Sequence, residues 1–106
     1  MYDSIVYSIN KAKLLCGIRK IIPSGTAIQN GRTSFLGDSF NRDGTHLELT
    51  YGRYTVACTW FEFLTGIPVI GNNFSSGLNT NIKRIAQDAA HNAVVNPYLV
   101  TNLSGL

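Results

Sequence analysis

Metal ligands are scarce in this sequence. It holds two cysteines and two histidines. None stands at a metal-ligand spacing, so no zinc site is expected. Cys16 and Cys58 each fall on a largely apolar helix face and read as small buried hydrophobes. No window reaches the roughly 20 apolar residues that a membrane-crossing helix needs. No run of Lys or Arg exceeds two residues, and nine basic side chains against six acids give a net charge of only +3. The clustered basic stripe that holds nucleic acid is absent. The N-terminal Met1–Asn10 stretch lacks the basic start and cleavage site of a signal peptide, so localisation stays open.

What is present is a globular composition, 44% hydrophobic and 14% charged, too apolar for a disordered chain. At 106 residues it makes one domain at most. Tyr2, Ile5, Ile9, Ala12 and Cys16 recur at helical spacing, predicting a helix from about Asp3 to Leu15 that Gly17 ends. Ile18 to Pro23 is rich in β-branched residues and reads as a short strand. Ser24 to Gln29 opens a turn or short helix that Asn30-Gly31 breaks. Arg32 to Asp43 has no periodicity. Leu47 to Leu64 predicts a heavily buried helix, apolar nearly all round, with Trp60 and Phe63 as core aromatics and Gly66 as its cap. Leu78 to Val95 predicts a last amphipathic helix with Leu78, Ile82, Ile85, Ala89 and Ala93 inward, closed by Asn96-Pro97. His91 on it reads as a partly exposed structural histidine.

Three helices and one strand do not make a closed fold. A lone strand leaves its backbone unpaired on both sides. Its partners then lie in sequence outside this chain, or copies of the chain self-associate through it. The N-terminus, already in helical register at its first residues, also suggests part of a longer protein.

The chemistry concentrates in Asp43-Gly44-Thr45-His46. An Asp three residues before a His, on a turn feeding a helix, can supply two thirds of a Ser-His-Asp machine. The plain structural alternative is a turn at Asp43-Gly44 with Thr45 capping the helix. Arg42 beside it reads as a solvated cation.

With its flanks, Asp43 to Gly66 (DGTHLELTYGRYTVACTWFEFLTG) resembles the C-terminal end of SGNH, or GDSL, serine hydrolases of a bacterial branch. Ile21 to Gln29 (IIPSGTAIQ) also looks like that branch. The resemblance implies the last part of a flavodoxin-like α/β/α sandwich, with residues 1–106 a partial domain containing one short strand. It implies His46 as catalytic base, Asp43 as its orienting acid, and an ester substrate, such as a carbohydrate ester, for the parent protein. Such a mechanism needs no metal or cofactor. Nucleophile and oxyanion hole belong to family segments that this chain lacks. Gly37-Asp38-Ser39 spells the family's nucleophile motif, but it follows a loop rather than a strand, so Ser39 reads as a loop serine. The competing function is a small helical interaction or oligomerisation module without catalysis.

Overall fold

Every residue from 1 to 106 is described by a computed structural model, and its regular structure is helical throughout. Helix α1 spans Tyr2–Cys16, α2 Ser24–Arg32, α3 Tyr51–Thr65 and α4 Thr80–Val95, with one 3₁₀ turn at Gly37–Phe40. The termini follow local chemistry. Gly17 adopts φ 68°, and its N–H donates to the Lys13 carbonyl, closing α1. The Asn79 side chain accepts the Ile82 N–H and opens α4.

The core lies where α4 meets α3 and α2. Ala86, Ala89, Ala90 and Ala93 line the inner face of α4 and let the helices approach closely around buried Ile85. Tyr54 and Cys58 of α3 pack on Ala86, Ala90 and Val69. Burial pushes the Cys58 thiol up to about 11, leaving it an inert hydrophobe. Polar residues pin this small core. Asn30 of α2 is fully buried, donates to the Ala89 carbonyl (3.0 Å) and accepts the Thr101 N–H (2.7 Å). Gln87 accepts from Gly71 N–H and donates to Tyr54 Oη and the Asn72 carbonyl, each at 3.0 Å. No buried side-chain nitrogen or oxygen lacks a partner, so the polar core is fully satisfied.

Several sequence expectations are corrected. The α/β sandwich is not found: there is no sheet, only an isolated antiparallel bridge between Asn41 and Leu47. Ile18 to Pro23 forms no strand, because no second segment lies beside it to complete a ladder. Asn30-Gly31 does not break α2, which continues to Arg32. There Asn30 is bonded on both sides, and the missing side chain of Gly31 makes room for the Phe40 ring. The third helix begins at Tyr51 rather than Leu47.

Burial on α3 is also redistributed. Its inner face carries Gly52, Thr55, Thr59 and Glu62, while Trp60 is 49% exposed and Leu64 is exposed. Thr55 and Thr59 return their hydroxyl protons to the carbonyls four residues back (2.7 and 2.8 Å). That leaves a compact, nearly apolar surface at a close helix contact. Cys16, expected to be buried, is exposed, and α1 buries no residue at all. No helix is long and apolar enough to cross a membrane.

The fold makes one substitution decisive. Phe40 is fully buried against the Gly31 backbone. Phe40→Ala is expected to cost about 3–5 kcal/mol in urea unfolding, whereas the exposed Phe35→Ala costs within about 0.5 kcal/mol. Equal losses at the two sites would contradict the packing described.

Candidate functional site

The Asp43–His46 turn is the tip of a small hairpin hung from the core. Phe40 anchors its near end: the ring abuts Gly31 and meets Tyr51 edge-on, with centroids 5.2 Å apart. The Phe40 carbonyl accepts the Glu48 N–H (2.7 Å), and Arg42 N–H donates to the His46 carbonyl (2.9 Å). Asn41 and Leu47 pair between them. Gly44 takes φ 82° at the tip, a backbone conformation that side chains disfavour.

Inside this turn Asp43 makes three contacts with its own loop. Oδ1 accepts the N–H groups of Thr45 (2.9 Å) and His46 (2.8 Å), and Oδ2 lies 2.8 Å from His46 Nδ1. The hydrogen bond from the His46 ring, then those from the His46 and Thr45 backbone, with a smaller contribution from the Arg42 charge, bring the Asp43 pKa down to about 2. Asp43 is therefore a carboxylate at any ordinary pH. A carboxylate can only accept, so the neutral His46 ring carries its proton on Nδ1 and leaves Nε2 as a bare acceptor. The ring is 63% exposed and Nε2 has no hydrogen-bond partner in the chain. The arrangement is an oriented base pointing at solvent.

Other predicted residues fall elsewhere. Ser39 sits in the 3₁₀ turn, donates to the Leu36 carbonyl (2.7 Å) and accepts from Tyr51 Oη (2.7 Å). It shares no hydrogen bond with His46. Its neighbour Asp38 is paired with Arg32. Arg42 is not free: its Nε donates to the Leu47 carbonyl (2.9 Å). His91 joins Glu62 across the α3–α4 contact at 2.7 Å, while the other Glu62 oxygen accepts the Val69 N–H. None of the three cavities is lined by Asp43 or His46; the largely apolar one, about 260 Å³, lies beside Tyr54, Phe61 and Phe74.

Glu48 escaped the sequence reading. Its carboxylate accepts the N–H groups of Thr50 (2.9 Å) and Gly52 (3.0 Å) and the Thr50 hydroxyl (2.8 Å), clamping the far end of the hairpin to the start of α3. Partial burial works to raise its pKa, and these hydrogen bonds overcome that, for a net lowering. The signal was there: an acid just ahead of a helix, with a Thr two residues on and a Gly four on.

Titration tests the dyad. The Asp43 carboxyl should titrate near 2 by ¹³C NMR rather than at its ordinary 3.8, and His46→Ala should move the midpoint up. Because the folded value is depressed, the hairpin stability Asp43 contributes is complete above 3.8 and is lost as pH falls through about 2. A midpoint at 3.8, insensitive to His46→Ala, would show that the pair does not form.

Comparison with known proteins gives a family but no activity. No curated protein matches the chain. A crystal structure of a DUF4886 family protein from Bacteroides uniformis is 59% identical, with a TM-score of 0.95. The match covers 99% of this chain and 41% of that one, so this chain spans less than half of the relative's length. Neither comparison names a hydrolase, and the helical fold is not the SGNH sandwich; the SGNH, GDSL and esterase labels gain no support from either. The family model described as "Domain of unknown function (DUF4886)" matches residues 1–93. The chain belongs to the DUF4886 family.

Proposed function

We propose that Asp43 and His46 are the proton-transferring half of a serine ester hydrolase, completed by groups outside these 106 residues. The observation that carries this is the 2.8 Å contact between Asp43 Oδ2 and His46 Nδ1, with the ring otherwise open. The Asp-x-x-His segment and its flanks, which resemble a hydrolase C-terminus, lend support from sequence. The fold of this chain lends none.

The chemistry runs through Nε2. It accepts the proton of a serine hydroxyl as that oxygen attacks the ester carbonyl, and the carboxylate of Asp43 stabilises the imidazolium that forms. The imidazolium then returns the proton to the departing alcohol. Water repeats the sequence on the acyl-enzyme, restoring the serine. Ser39 is a poor candidate for the nucleophile, since its hydroxyl is held by the Leu36 carbonyl and Tyr51. The oxyanion donors and the walls that exclude water are likewise expected from elsewhere, because no cavity adjoins the dyad. The substrate class is an acyl ester, carbohydrate esters included.

Kinetics on the longer family polypeptide, with short p-nitrophenyl esters, tests the reading. His46→Ala is expected to lower kcat by several orders of magnitude, and Asp43→Asn by ~10⁴-fold, by permitting the wrong tautomer. The 106-residue chain alone should be inactive. Unchanged turnover in His46→Ala would sink the proposal and leave the helical interaction module as the better reading.

A further inference from the structure

Helix α1 and the segment behind it are only partly covered by the rest of this chain. None of the fifteen residues of α1 is buried, and Leu14 and Leu15 at its end are 85% and 77% exposed. Its main side-chain tie to the rest is Tyr2 Oη to Thr26 Oγ1 at 2.8 Å. A helix of this length draws most of its stability from packing an apolar face, and this one has little to pack on. Beyond Gly17, the residues from Arg19 to Ile21 neither donate nor accept any hydrogen bond within the chain, and the Ile22 N–H is also without a partner. Two clefts flank this stretch and share Ile21 and Tyr98 in their walls. The larger, about 520 Å³, carries Lys13, Arg19 and Lys20, and its only carboxylate, Glu62, is already engaged by His91 and the Val69 N–H.

Exposed apolar side chains, a run of backbone with no partner in the chain and uncompensated cations, all within residues 13–22, are the features of a surface that another segment covers. The relative accounts for such a segment. A DUF4886 protein with nearly the same structure over this segment continues for more than its own length again. We infer that the α1 face and residues 18–22 are the surface on which the remainder of the longer family polypeptide docks, within one molecule. The covering part supplies apolar side chains over Leu14 and Leu15, backbone donors and acceptors along 19–22, and carboxylates opposite Lys13, Arg19 and Lys20. This holds whatever Asp43 and His46 do, so it stands or falls separately from the hydrolase reading.

Amide hydrogen exchange on two proteins tests it: this 106-residue chain and the whole Bacteroides uniformis relative. The amides of residues 19–22 should exchange near the unprotected rate here and on the order of 1,000-fold more slowly at the aligned positions of the relative. Leu14→Gln with Leu15→Gln, which keeps helix propensity and adds no charge against the helix dipole, should leave the melting temperature of the 106-residue chain unchanged, because both side chains face water. Fast exchange at the aligned positions of the relative would overturn the inference. So would a large loss of stability in the double variant, which would mean that α1 is already packed. Protection in the short chain that grows with concentration would replace the inferred occupant with a second copy, and would equally refute it.

Discussion

The ring of Phe40 seated on the backbone of Gly31 is the contact on which the candidate site depends. A side chain at position 31 would collide with that ring. On one side of the contact stands the helical core, pinned by the buried Asn30 one residue earlier. On the other hangs the hairpin, whose first backbone hydrogen bond is the Phe40 carbonyl itself. A surface loop of polar residues has little reason to hold one shape. This one is clamped at both ends, by Phe40 at its start and by the Glu48 carboxylate at its end. Between the clamps, Asp43 has only to span three residues to reach its histidine.

The dyad is local, and that explains why it was legible in sequence while its surroundings were not. An Asp, a Gly that accepts positive φ, and a His at the third position contain nearly all the geometry needed. Both oxygens of the carboxylate are satisfied within the same turn. Glu48 was readable by the same local logic. By contrast, Gly31 lies on α2 and Phe40 nine positions on, in a stretch without periodicity, and nothing in their spacing announces a contact.

Helix positions were legible for α1, α3 and α4, since glycine caps and apolar spacing act over a few residues. Which face turns inward was not. On α3 the threonines went in and Trp60 stayed half out, because Thr55 and Thr59 satisfy their hydroxyls on their own helix and allow a closer approach than an indole. The expected strand failed for a related reason. Ile18 to Pro23 has the composition of one, but a strand exists only through a neighbour, and these 106 residues hold none. Composition states what a segment could pair with; the pairing itself is set by the rest of the polypeptide.

An exposed Asp–His pair is chemically useful only if the imidazole is held in one tautomer. That is the property on which the functional reading turns, and it belongs to this chain alone. The direct measurement is the ¹⁵N spectrum of the His46 imidazole in the 106-residue protein, at a pH where the ring is neutral. A proton fixed on Nδ1 and a bare Nε2 are expected, with Asp43→Asn abolishing the preference. A ring protonated mainly on Nε2, or one mixing both forms alike in the native chain and in Asp43→Asn, would contradict the functional reading.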